Sequence, residues 1–350
     1  MGCAGSKAQS QERQHSSGGN AFVGSGEALG GEYSVAGQME GHGAYRYADG
    51  DVYEGQWKAG QEEGRGTCRY TSGNVYEGDY KAGKREGRGI YRYADGDVYE
   101  GQFMAGEKEG RGTFRFTSGN LYYGEFEAGE KEGRGIYRFA DGDVYEGEFK
   151  AGQWEGRGTF RYTSGDVYEG EYKAGNEEGC GTFRFASGNV YEGEFKAGEK
   201  EGCGTFRFAD GEVYEGEFKA GQWDGRGIYR YADGNVYKGE YIAGQKEGRG
   251  TFRFASGEVY RGEFKAGERE GRGTYIYANG MVEVGFYKQG VDAGEGVKWS
   301  ADGLQAWRLR NGEVVEVISL GEARQTAQRL SLPIPWASGK WQARSAPQQL

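Results

Sequence analysis

Proline is nearly missing from this sequence: three in 350 residues, all beyond position 330. That excludes a collagen-like chain and a proline-rich linker. Histidine is scarcer still, at His15 and His42 alone, so no Ser/His/Asp or Cys/His set can be assembled. The four cysteines, Cys3, Cys68, Cys180 and Cys203, include no CxxC pair, and neither histidine lies near a cysteine pair. Structural zinc and a disulfide framework are therefore not expected, and a reducing compartment is. No apolar run approaches the roughly 20 residues of a membrane helix, and no N-terminal stretch resembles a secretory signal. With 36% hydrophobic residues and a mean hydropathy of −0.86, a thick core is excluded. No catalytic residues, metal site or cofactor are expected, and the chain reads as a non-enzyme.

What the chain has in excess is glycine, 70 residues, with 15% aromatics. Tyr53, Tyr76, Tyr99, Tyr122, Tyr145, Tyr168, Tyr191, Tyr214, Tyr237 and Tyr260 follow one another every 23 residues without insertion. Each of these ten copies has glycine at the same five places, which in the second copy are Gly78, Gly83, Gly87, Gly89 and Gly96. Gly31–Gly50 is a degenerate copy upstream, and Gly285–Gly303 is a worn one downstream, as expected where a repeat array must cap itself. ADG and TSG also alternate from Ala48 to Ser164, a longer period of 46. The charge of −10 is concentrated in the array. Residues 1–30 are neutral and 304–350 carry +3, which leaves −13 for 31–303. An acidic body opposes nucleic acid and anionic lipid.

One copy holds two strand-like runs, Val75–Lys81 and Arg88–Tyr93, bounded by glycine-rich turns at Ala82–Gly87 and Ala94–Asp97. Alternation with period two puts Tyr76, Gly78 and Tyr80 on one face and Val75, Glu77, Asp79 and Lys81 on the other. Gly89, Tyr91 and Tyr93 share a face opposite Ile90 and Arg92. Each copy is thus expected to be a hairpin whose rings lie over cross-strand glycines. A lone hairpin is marginal in water, so copies should pair edge to edge and twist.

The run YEGEFKAG followed by EGRGTFRFADG resembles the MORN (membrane occupation and recognition nexus) repeat over residues 31–303. The resemblance implies an all-β, elongated, single-layer antiparallel β-meander, a twisted solenoid-like ribbon with a shallow groove. It also implies non-enzymatic scaffolding at membranes or cytoskeleton, often with self-association, as in junctophilins, radial spoke head proteins and protist cytoskeletal proteins. A module of plant phosphatidylinositol-phosphate kinases has it too. The expected domains are a disordered acylated tether at 1–30, the array at 31–303, and a C-terminal cap at 304–350. In the cap, Glu313–Leu320 reads as a closing strand, Glu322–Leu330 as a short helix, and the rest as a Pro/Trp tail.

The chain begins Met1-Gly2-Cys3-Ala4-Gly5-Ser6-Lys7. This matches the N-myristoylation pattern at Gly2 and resembles dually acylated MGCxxS proteins, which makes Cys3 the candidate for palmitoylation. One myristoyl chain binds membrane only marginally, and residues 1–30 hold no polybasic patch to supply a second signal. Tyr80, Phe103, Phe126, Phe149 and Tyr172 form the broad candidate surface for a peptide or helix, although the same rings serve as the core of a single-layer sheet. Trp154 and Trp223 read as turn residues able to anchor a partner. Cys180 and Cys203, one repeat apart, are expected to be free thiols, and Cys68 to be packed. Gly78–Arg85 imitates a P-loop but lacks its final Ser/Thr and its helix.

The expected function is a lipid-anchored scaffold or adaptor at a cytoplasmic membrane face, the plasma membrane first. Its expected partners are the membrane, through the acyl groups, and cytoskeletal or membrane proteins; nucleic acid is excluded, and a homodimer through the array end is kept open. The alternatives are regulation in trans of a phosphatidylinositol-phosphate kinase, and a soluble flagellar or cytoskeletal protein.

Overall fold

The computed structural model describes residues 26–335. Among them the chain forms twenty-six strands and one helix, and strands pair antiparallel with their neighbours in the chain. The fold is the expected all-β meander of hairpins. Its contacts sort into two units: one through Ser164 together with Tyr172–Gly175, the other Gly165–Glu171 with Asn176 onward.

In the first unit the hairpin Val75–Lys81 with Lys84–Arg92 shows the rule. Tyr76 is fully buried, and Gly78 pairs with Gly89 across the strands. In the Tyr145 copy a Cβ built on Gly158 would lie 2.6 Å from the Tyr145 ring. These strand glycines are therefore a cradle: the ring occupies the volume of the missing side chains. The Tyr145 hydroxyl then donates to the Glu148 carbonyl at 2.9 Å.

The turn differs from the sequence reading. It is only Ala82-Gly83, and the second strand already begins at Lys84. Both turn residues have positive φ, +49° and +76°, the two-residue geometry whose twist matches the flanking strands. Alanine in this region costs about 1–2 kcal/mol, and a reading of propensities does not look for it there. The cost is offset from the preceding copy, where Glu63 Oε2 accepts the Ala82 amide at 3.0 Å. The Gly83 amide also donates to the Glu62 carbonyl at 3.0 Å.

The other turn is tied in the same way and explains the 46-residue period. Asp97 Oδ1 accepts both the amide and the hydroxyl of Thr117, at 2.8 and 3.1 Å. Asn120 Oδ1 accepts only the Ala140 amide, at 2.9 Å. A carboxylate facing threonine thus alternates with an amide facing alanine. At the start of this unit, strand Glu27–Tyr33 pairs with Met39–Arg46 and begins inside the segment read as tether.

The second unit repeats the hairpins and ends differently. Glu283 stands where the central tyrosine is due, and it is 4% exposed. It accepts the Tyr277 hydroxyl at 2.6 Å and lies 3.8 Å from Lys298 Nζ; burial holds its carboxyl above the usual range. Around it a hydrophobic core forms from Val282, Val284, Val297, Trp299, Ala306 and Ile318. Helix Leu320–Arg329 closes this core with Ala323 and Ala327. Ser319 and Glu322 cap the helix reciprocally at 3.2 and 2.9 Å, a capping box. The closing strand is Glu313–Ile318, and a further strand, Ala306–Arg310, precedes it where the sequence showed no pattern.

Candidate binding face

The two faces of the sheet are chemically opposite. On one, the central tyrosines Tyr53 to Tyr260 are 0% exposed. Beside them runs the row containing Tyr80, Phe103, Phe126, Phe149 and Tyr172, each 3–7% exposed. Phe103 meets Tyr76 and Tyr99 edge-on, at 4.9 and 5.2 Å between centroids. Phe126 continues the pattern with Tyr99 and Tyr122. The candidate stripe is therefore a herringbone interior that leaves a partner little ring surface to touch.

A third row on this face went unnoticed in the sequence. Lys131 lies over Phe116, Tyr122 and Tyr137 at 5.2, 5.3 and 4.7 Å. Burial lowers its ammonium to about 8. Arg85 and Lys108 take the same place in their copies. In two copies the place belongs to the candidate tryptophans: Trp154 stacks on Tyr145 at 4.6 Å, and Trp223 on Tyr214 at 4.5 Å. Both are half-buried residues of strands rather than turn residues, because each turn closes two residues earlier at Ala-Gly. Their signal was available in the spacing: they hold the position of Lys131 in the 23-residue frame.

The other face is polar and grooved. In the first unit a groove of about 900 Å³ is lined by Glu54, Arg65, Glu77, Arg88, Glu100 and Arg111, among others. In the second unit a groove of about 1190 Å³ includes Glu217, Arg226, Glu240, Arg249, Glu263 and Arg272. Glycine pairs such as Gly227 with Gly239 supply the floor. Arg226 faces Glu240 and Arg249 faces Glu263 in strand register. These faces present repeated carboxylate and guanidinium groups with exposed backbone, a chemistry suited to polar, reversible contacts.

Cys180 and Cys203 are free and exposed, and Cys68 is free and buried. Burial pushes the Cys68 thiol up to about 12. Among the described residues no group of three or more His, Cys, Asp or Glu is placed to hold a metal ion. No described helix is long and apolar enough to cross a membrane. Gly2 and Cys3 lie outside the described residues.

The MORN repeat family model matches eleven consecutive stretches: 31–52, 53–75, 76–98, 99–121, 122–144, 145–167, 168–190, 191–213, 214–236, 237–259 and 260–282. No match was found among curated proteins. Among solved structures the chain is similar to the TCP10 domain of Danio rerio CPAP in complex with a STIL peptide. The identity is 16% and the TM-score 0.38, over 67% of this chain and 97% of that one. It is also similar to the Drosophila melanogaster SAS-4 TCP domain with a proline-rich motif of Ana2, at 13% identity and TM-score 0.30, over 45% and 85%. A third similarity is to Staphylococcus aureus virginiamycin B lyase, at 14% and 0.13, over 78% and 93%. At such TM-scores none of these likenesses bears on the partners or chemistry of this chain.

Proposed function

The chain belongs to the MORN repeat family, and we propose that it is a non-catalytic scaffold whose polar sheet face receives protein partners. On this reading, acyl groups on Gly2 and Cys3 hold it at the cytoplasmic face of a membrane, the plasma membrane first. The observation that carries the scaffold reading is the division of labour between faces. The rings are spent on the interior, whereas each unit exposes a groove of alternating acids and bases. The anchor rests on the Met1–Lys7 pattern and on the marginal hold of a single acyl chain, which calls for a second one.

Fractionation of cells expressing the wild type, Gly2→Ala or Cys3→Ser tests the anchor. The wild type should sediment with membranes. Gly2→Ala should be soluble, and Cys3→Ser should divide between the fractions. Identical partition of the wild type and Gly2→Ala would remove the anchor from the account.

A further inference from the structure

The polar face is not uniform along the second unit. The residue after the central tyrosine is Glu in seven of ten copies, from Glu54 to Glu215, and Tyr123 in one. In the two last regular copies it is a cation, Lys238 and Arg261. On this face a neighbouring row carries the arginine of the second strand. In the first unit that arginine has an acid beside it: Arg115 lies 3.4 Å from Glu100. In the second unit Arg253 faces Val236 and Val259 in register. Those strands bring Lys238 and Arg261 to the positions flanking it, where acids are the rule. A small concavity of about 460 Å³ opens here, lined by Arg230, Lys238, Arg253 and Arg261 with Ile228, Val236 and Thr251. Every charged residue in that lining is a cation, within an array whose net charge is −13. Burial and the nearby Arg253 both disfavour the charge on Arg261.

We infer that this cation cluster is a docking site for an acidic, extended peptide segment of a partner protein, with carboxylates spaced three residues apart. Charge selects the class of partner, and spacing selects the form. Lys238 and Arg261 are equivalent positions one repeat apart, which is two strand spacings or roughly 10 Å. A polyproline II segment returns a side chain to the same face every three residues, about 9 Å along its axis. Elongation is favoured over a compact anion because the concavity shares Ile228, Lys238, Thr251 and Arg261 with the larger groove, which runs on past Glu240 and Glu263, each facing an arginine in register, to Arg272 and Pro333. Apolar contact from Ile228 and Val236 and the hydroxyl of Thr251 would seat the segment between the charges.

The inference deepens the reading of the chain as a protein-binding scaffold, but its test does not depend on the anchor. Fluorescence polarisation with the full-length Gly2→Ala chain, using a labelled peptide of repeated Glu-Ser-Pro triplets, reads it directly. The peptide should bind, binding should weaken as salt rises, and the Gln-Ser-Pro counterpart should not bind. Lys238→Glu with Arg261→Glu should lower affinity about tenfold or more, the loss of a few exposed ion contacts. These substitutions restore the residue that seven other copies already carry, so the hairpins should fold. Arg69→Glu with Arg92→Glu, an equal charge change in the first unit, should leave binding unaltered. Equal binding by the Lys238/Arg261 variant, or equal loss in the Arg69/Arg92 variant, would overturn the site. So would sedimentation of the Gly2→Ala chain, but not of its Lys238/Arg261 variant, with anionic phospholipid vesicles when the peptide fails to bind, because the cluster would then serve a lipid surface. Binding that rises on removal of residues 336–350 would support the site and identify that segment as a competitor.

Discussion

The Tyr145 copy and the Glu283 copy occupy the same frame and solve the same packing problem differently. At Tyr145 the ring lies on Gly147 and Gly158, and a Cβ on Gly147 would lie 2.5 Å from the Tyr145 hydroxyl and 2.6 Å from the Gly158 Cα. At Glu283 there is no ring, and a Cβ on Gly285 would find nothing nearer than the Gly296 Cα at 3.8 Å. What replaces the tyrosine is a hydrophobic core of valines and Trp299 closed by a helix from residues farther along the chain. The interior of the array is thus built locally, one tyrosine per pair of glycines. Its end is built by contacts remote in sequence, which also give the last hairpins something other than water to face.

The largest effect that would break this comparison concerns the cradle. Gly147→Ala should destabilise by about 3 kcal/mol, the range for forcing atoms into a filled core, whereas Gly285→Ala should cost less than about 1 kcal/mol. Urea denaturation of the two variants measures the difference, and equal losses would mean that the cradle is not what fixes the interior. Next comes the end. Ala327→Asp places a charge at a fully buried position and should cost about 2–3 kcal/mol. Hydrogen exchange should rise over Val282–Leu332 while the hairpins around Tyr145 keep their protection.

A smaller effect sharpens the contrast by showing what both regions share. Glu86 Oε2 accepts the Ala105 amide at 3.0 Å, and Glu270 Oε2 accepts the Gln289 amide at 2.9 Å. Ala105 and Gln289 both have positive φ, +51° and +49°. Glu86→Ala and Glu270→Ala should each cost about 1 kcal/mol, to be read as shifts in melting temperature. Ala105→Gly, which removes the left-handed penalty, should offset the first. Smallest is Tyr80→Phe. The Tyr80 hydroxyl is buried without a hydrogen-bond partner, and the equivalent residues Phe103, Phe126 and Phe149 have none to satisfy. A gain of about 1 kcal/mol is expected in the same melts.

Much of the interior could be read from the sequence because its rules are periodic. The tyrosine every 23 residues, the strand alternation and the paired glycines at 78 and 89 all fall within one hairpin, so spacing alone reports them. The bonds that join one copy to the next were not legible. Glu63 and Asp97 look like ordinary surface acids until strand register brings them beneath the turn that follows. Alanine at positive φ concealed the true turn, since propensity assigns that conformation to glycine or asparagine, and the error moved Trp154 and Trp223 out of their strands. Helix Leu320–Arg329 was readable within about two residues. Strand Ala306–Arg310 was not, because its partners and core contacts are set by tertiary packing. The aromatic stripe drew attention as the broad surface, while the reversal of charge at Lys238 and Arg261, plain in the letters, acquires meaning only when Arg253 is seen between them.

The central claim is that the ring-bearing face is interior, which is what leaves the proposed recognition to the other. Spectrophotometric tyrosine titration followed alongside far-ultraviolet circular dichroism tests it most directly. Burial raises the phenols of Tyr53, Tyr76, Tyr99, Tyr122, Tyr145, Tyr168, Tyr191, Tyr214, Tyr237 and Tyr260 well above their ordinary value. A group that binds its proton more tightly when folded gives stability that is whole below the unfolded pKa, about 10 for tyrosine, and fades as pH climbs past it. The ten central rings should therefore ionise only together with collapse of the sheet signal. Ionisation of all the tyrosines near pH 10 while the sheet signal persists would contradict the account.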